Sequence, residues 1–104
     1  MQHTSSTICA IATAPGGAIG IVRISGPSAI ALTETLFRPR QGAPLRERKS
    51  HSLTFGTLVA PDGSLIDEVL VSLFRPPHSY TGEESVEISC HGSQYILQTV
   101  LRLL

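Results

Sequence analysis

Two charged residues stand where strand-forming sequence leaves little room for charge. Arg23 lies within Ile19-Gly20-Ile21-Val22-Arg23-Ile24-Ser25. In strand alternation it shares a face with Ile19 and Ile21, while Val22 and Ile24 point the other way, so both faces are apolar apart from the guanidinium. A guanidinium held away from water needs a carboxylate or a bound anion, because an unpaired charge there costs several kcal/mol. Two readings follow. Arg23 bridges to a local acid from an edge strand, or its forked donors anchor the carboxylate or carbonyl oxygens of a ligand. Glu87 is the second such residue, mid-strand between Val86 and Ile88. It is either a solvent-facing strand glutamate or a two-oxygen acceptor for adjacent N–H donors of a heterocycle.

Three residues around this strand rank behind them. His91 and Gly92 follow it and open the last helix, where free backbone N–H groups gather and ligands are often held. A structural histidine is the competing reading. Tyr80, in the preceding loop, either stacks on a flat ligand or covers the core edge. Glu83 and Glu84 sit in a turn, and solvated or capping roles suffice for them. Several chemistries are missing. The single lysine, Lys49, follows Arg48, so no glycine-rich turn delivers a lysine onto phosphates. Gly16-Gly17-Ala18-Ile19-Gly20 leads into a strand, whereas a dinucleotide fingerprint leads into a helix. No Ser/His/Asp or Cys/His spacing suggests a nucleophile, and the histidines are too scattered for a metal set. Asp62 and Asp67 read as flanking a turn, which leaves no evident general base.

Simple elements must position these residues. Thr7–Thr13 and Ile19–Ser25 are short, β-branched, apolar runs broken by Pro15-Gly16-Gly17, and they predict strands that form a hairpin or sit apart in one sheet. Gly26-Pro27-Ser28 predicts a helix start with Pro27 in the first turn. Ala29, Leu32 and Leu36, with Ile30 and Phe37 beside them, form its apolar stripe, and Pro39 closes it. The polar stretch from Arg38 to His51 predicts a long connection. Leu53–Val59 and Leu65–Phe74 flank Pro61-Asp62-Gly63, which predicts a hairpin: proline presets one turn dihedral and glycine accepts positive φ. Ser85–Cys90 alternates Val86, Ile88 and Cys90 against Ser85, Glu87 and Ser89, a half-buried strand. Ser93 caps a final helix whose face carries Ile96, Leu97, Val100, Leu101 and Leu104. That helix has no stop signal, so the sequence predicts that the native chain continues.

A length of 104 residues holds one domain, and 41% hydrophobic with 15% charged residues is the composition of a folded one. Eight basic residues balance eight acidic ones. The only basic cluster, Arg38, Arg40, Arg46, Arg48 and Lys49, reads first as a solvated loop and second as an RNA contact. Cys9 and Cys90 lie in separate apolar runs and read as buried free thiols in a reducing compartment. No signal peptide, transit peptide or membrane span is evident, so a cytoplasmic place without membrane attachment is expected.

Three blocks go further: Thr7-Ile8 through Gly26-Pro27, Ile66 through Gly92, and the helix after them. Their core motifs, GIVRISGP and SYTGEESVEISCHG, closely resemble the N-terminal domain of the tRNA-modification GTPases called MnmE or TrmE. The resemblance covers nearly the whole chain and is weakest from Arg38 to Ser50. It implies an α+β fold: a single mixed sheet of about five strands packed with two or three helices, like the folate domain of aminomethyltransferases. Residues 1–104 then form the folate-binding and dimerisation domain, ending in its last helix and without the family's helical and GTPase domains. The resemblance also implies a homodimer and a tetrahydrofolate derivative, 5-formyl- or methylene-tetrahydrofolate, as one-carbon donor. Potassium and magnesium serve GTP in the GTPase domain only. A flavin-dependent partner, MnmG or GidA, is implied too, with an aminomethyl or carboxymethylaminomethyl group added to the wobble uridine of tRNA. The family's folate-contacting arginine and glutamate fall on Arg23 and Glu87, with Tyr80, His91 and Gly92 as further candidates. A third contact, a lysine, has no counterpart. Many members carry an arginine in the first glycine turn, where this chain reads Pro15-Gly16-Gly17-Ala18. No complete active site is expected here. The rival expectations are a purely structural dimerisation domain, a stand-alone aminomethyltransferase, and RNA binding through Arg38 to Lys49.

Overall fold

The computed structural model describes residues 6–12, 17–76 and 83–104. Their apolar alternation folds into one six-stranded sheet with helices on one face. The strands are β1 (Ile8–Ile11), β2 (Ile19–Ser25), β3 (Phe37–Pro39), β4 (Leu53–Val59), β5 (Leu65–Phe74) and β6 (Ser85–His91). Helix α1 (Ala29–Leu36) separates β2 from β3, and α2 (Gln94–Leu103) follows β6. The order across the sheet is β1-β2-β6-β5-β4-β3, and all five pairings are antiparallel. An antiparallel sheet covered on one side alternates apolar and polar positions, which is why its strands were legible.

The covered face holds the core. Val22 and Ile24 of β2 lie in register with Ile88 and Val86 of β6, and these in turn with Val71 and Leu73 of β5; all six are essentially inaccessible to water. Leu97 and Val100 of α2 and Ala29, Ile30 and Leu36 of α1 close over them. Burying such side chains stabilises by about 1.5–3 kcal/mol each.

β4, β5 and α2 form as predicted. The turn between β4 and β5 closes with Gly63 N–H donating to Ala60 C=O at 2.8 Å, and Gly63 takes φ +88°. Ser93 Oγ accepts from Ile96 N–H at 3.4 Å at the start of α2. The other boundaries move. β1 spans Ile8–Ile11, β6 runs one residue on to His91, and β1 and β2 form the hairpin arrangement, Ile11 facing Val22. Pro27 precedes α1, because Ser28 is its N-cap. Thr33 rather than Leu32 completes the buried stripe; its hydroxyl donates to Ala29 C=O at 2.8 Å and so is satisfied in the core. Phe37 leaves the helix and begins β3, the strand that brings the count to six. Within the expected connection, Leu45 opens a 3-10 turn and is 1% exposed. A buried leucine in a polar loop pins that loop to the domain.

Candidate functional site

The other face of the sheet is open, and the two suspect charges meet on it. Arg23 and Glu87 are direct register partners on the adjacent strands β2 and β6. Arg23 Nε donates to Glu87 Oε2 at 2.9 Å and Nη2 to the same oxygen at 2.6 Å. Arg23 is 43% exposed and Glu87 16% exposed. The carboxylate is thus the more desolvated partner and the guanidinium covers it. Cross-strand opposite charges stabilise a sheet pair, and the charge-assisted bonds are short because both groups are ionic. Arg23 does meet an acid, but β2 lies between β1 and β6 rather than at an edge, and the acid is Glu87, 64 residues away in the chain.

A cleft of about 350 Å³ opens beside the pair, walled by Ile8, Ala10 and Ile11 of β1 and by Arg23, Ser25 and Glu83. β1 provides this wall because Ala10 lies directly opposite Arg23. Ser25 Oγ donates to Glu83 Oε1 at 3.0 Å across its floor. Glu84 has the capping role: its Oε1 accepts from Ile30 N–H at 3.1 Å in the first turn of α1. The cleft thus combines apolar walls with a few convergent polar groups, the usual make-up of a small-molecule site.

His91 and Gly92 lie at the far end of β6. Asp67, 8% exposed, accepts His91 N–H at 2.8 Å on Oδ2 and sits 2.7 Å from His91 Nδ1 through Oδ1. Asp67 is therefore a buried strand residue of β5, not a turn flank. Sequence reasoning missed it; its one available signal was alternation with Val69 and Val71. Gly92 serves backbone packing, since a Cβ there would stand 1.8 Å from Gly17 C=O. Cys90, between them, is a buried thiol pushed up to about 11 by its burial and by the nearby Asp67 charge, and Cys9 is raised by burial alone. Tyr80 and the glycine turn at Pro15-Gly16 lie outside the described residues. Among the described residues, no group of His, Cys, Asp or Glu is arranged to hold a metal ion.

The structure therefore joins Arg23 to Glu87, places Arg23 but not Glu87 in the lining of the cleft, and leaves His91 and Gly92 elsewhere. The family described as "GTP-binding protein TrmE N-terminus" matches residues 7–104. The chain belongs to this family. The relative from Bacteroides thetaiotaomicron named "tRNA modification GTPase MnmE" is 62% identical over 99 residues, covering 94% of this chain and 21% of its own. Relatives of the same name from Symbiobacterium thermophilum and Carboxydothermus hydrogenoformans are 55% and 51% identical, covering 91% and 94% of this chain and 21% and 22% of theirs. The chain thus spans about a fifth of the length of these relatives. Among the described residues no helix is long and apolar enough to cross a membrane.

Proposed function

We propose that this domain is the cofactor-binding and self-pairing part of a tRNA-modifying GTPase, and that the cleft beside Arg23 and Glu87 takes a tetrahydrofolate derivative. The observation that carries the reading is that Arg23, paired with Glu87, lines an apolar-walled cleft. The residues fit a pterin. Glu87 uses only Oε2 toward Arg23, so Oε1 is left to accept N–H donors of a flat heterocycle. Arg23 brings a positive charge into the lining for carbonyl or carboxylate oxygens, and Ile8, Ala10 and Ile11 offer apolar walls. The folate supplies a one-carbon unit. Arg23 and Glu87 bind and orient it, and the strand wall limits water around it.

Self-pairing is supported by the open sheet face, where Ile8, Ile19 and Leu53 are each more than half exposed and Phe55 and Leu70 are partly so. An apolar array of this kind is uncommon on a surface that stays in water. In the whole protein, acting with a flavin-dependent partner on the wobble uridine of tRNA, GTP hydrolysis lies in a separate potassium- and magnesium-using domain. The name carried by the relatives, tRNA modification GTPase, supports the tRNA-modifying and GTPase parts of this reading.

Calorimetric titration with 5-formyltetrahydrofolate tests the site. Arg23→Ala and Glu87→Ala each lower affinity by about 1.5–3 kcal/mol, the worth of a charged hydrogen bond. Unchanged affinity in both variants rejects it. A purely structural dimerisation domain is the second reading, favoured by the fact that Arg23 and Glu87 already satisfy each other. It is the outcome if no folate binds while self-association persists.

A further inference from the structure

The balanced charge of the chain hides a separation. Of its eight lysines and arginines, Arg38, Arg40, Arg46, Arg48, Lys49 and Arg75 gather around β3 and the adjoining edge of β4, with Glu34, Glu47 and Glu68 as the acids among them in the described residues. We propose that this basic edge binds the phosphate backbone of RNA. The proposal rests on the tRNA part of the function above and not on the folate part.

Three features go beyond a count of charges. Three of the guanidiniums, those of Arg38, Arg48 and Arg75, are oriented by neutral carbonyls, which fix them without cancelling their charge, whereas Arg46 is paired with Glu34 at 3.3 Å. Arg48 donates to Gln41 C=O at 2.7 Å and Ala43 C=O at 2.9 Å, and Arg38 to Glu34 C=O and Phe37 C=O at 3.1 Å. Arg75 donates to Arg46 C=O at 2.8 Å and Arg48 C=O at 2.9 Å, drawing the loop toward the end of β5. Second, Arg40 lies 4.6 Å above the Phe55 ring, and its ion pair with Glu68 is open at 3.6 Å between two half-exposed side chains. Such a contact is weak and readily exchanged for a phosphate. Third, Arg40 and Arg48 line a cleft of about 270 Å³ with Gln41, Thr54 and Phe55.

Pre-oriented guanidiniums suit discrete phosphates, which accept paired N–H bonds, better than they suit a diffuse anionic surface, where lysine serves as well. Five of the six cations are arginine. That favours RNA over a lipid surface, and the cleft beside an aromatic ring matches a sugar-phosphate strand better than a lone carboxylate.

The test measures binding of an unmodified tRNA transcript to the whole protein across a potassium chloride series. Each cation that meets a phosphate contributes just under one unit to the slope of log affinity against log salt. Arg40→Gln combined with Lys49→Gln removes two exposed charges that hold no loop carbonyl. It should weaken binding about tenfold or more near 0.1 M salt and flatten the slope by about two. Arg102→Gln, a basic residue of α2 away from the edge, should change neither. The proposal is overturned if the double variant binds as the parent does, if Arg102→Gln weakens binding equally, or if the parent shows no salt-dependent tRNA affinity. It is overturned equally if the double variant loses binding only to vesicles containing phosphatidylglycerol or to polyglutamate. Folate titration of the same double variant should be unchanged, so failure of this site and failure of the Arg23–Glu87 site are read separately.

Discussion

Arg23 lies directly across the β2–β6 pairing from Glu87 and places two donors on one of its carboxylate oxygens, at 2.9 and 2.6 Å. Their unequal exposure makes the pair asymmetric. Removing Arg23 leaves a largely buried carboxylate without its cation, whereas removing Glu87 leaves a guanidinium that water can still reach. Arg23→Ala should therefore destabilise the domain by about 1 kcal/mol more than Glu87→Gln, and the double variant should cost less than the two singles together by about 1 kcal/mol. Urea unfolding of the four proteins measures this cycle. Strict additivity would mean that the pair contributes no coupling.

Much of this arrangement is written in the local sequence, but the pairing itself is not. Alternation in β2, β5 and β6, the Pro61-Asp62-Gly63 turn and the Ser93 cap are signals confined to a few neighbouring residues, and the structure follows them. Arg23 and Glu87 are 64 residues apart, and their meeting depends on the register of two strands that the sequence does not specify. β3 escaped notice because Phe37 continues the helical apolar spacing, while a ladder to Leu58 on β4 is what claims it. Asp67 read as a turn residue because it is acidic and near Gly63. Its burial follows only once His91, at the end of β6, comes alongside.

Two glycines separate close approach from backbone strain. Gly92 has no room, since a Cβ would meet Gly17 C=O at 1.8 Å, while Gly63 has nothing within 4 Å but sits at φ +88°. Gly63→Ala should cost about 1 kcal/mol, the left-handed penalty. Gly92→Ala must displace backbone and should cost about 2–3 kcal/mol or more. Thermal unfolding of the two variants checks the order; equal losses would show that the Gly92 contact relaxes freely.

Cys90 predicts a pH effect. Burial and the Asp67 charge push its thiol up to about 11 from an ordinary 9.0. Between those values the unfolded chain sheds the thiol proton while the folded chain keeps it, so stability falls as pH rises from about 9 toward 11. Below pH 9 the thiol is protonated in both states and contributes no slope. Cys90→Ala should flatten the decline in midpoint over that window, leaving the smaller part due to Cys9, which is also raised by burial. Native Cys90 should also resist alkylation at pH 8, because the thiolate is the nucleophile. Rapid labelling in folded protein, or an unchanged alkaline slope in Cys90→Ala, would contradict this.

Asp67 and His91 distinguish a backbone anchor from a side-chain pair. Asp67, buried, accepts both the main-chain N–H and the ring of His91, whose side chain is 71% exposed. His91→Ala removes only the exposed ring contact and keeps the N–H bond, so it should cost about 1 kcal/mol or less. Asp67→Asn retains one carbonyl acceptor, but its amide nitrogen replaces the second acceptor oxygen, and an intermediate loss is expected. Asp67→Ala strips the acceptor from the His91 N–H and opens a small void beside Val69, so it should cost about 2–3 kcal/mol. Chemical denaturation of the three variants ranks them, and amide exchange at His91 should accelerate in Asp67→Ala but not in His91→Ala. If Asp67→Ala and His91→Ala are equally mild, the carboxylate is not what holds the end of β6 to β5, and the turn into α2 must be fixed by the Gly92 N–H to Ala18 C=O bond at 2.9 Å instead.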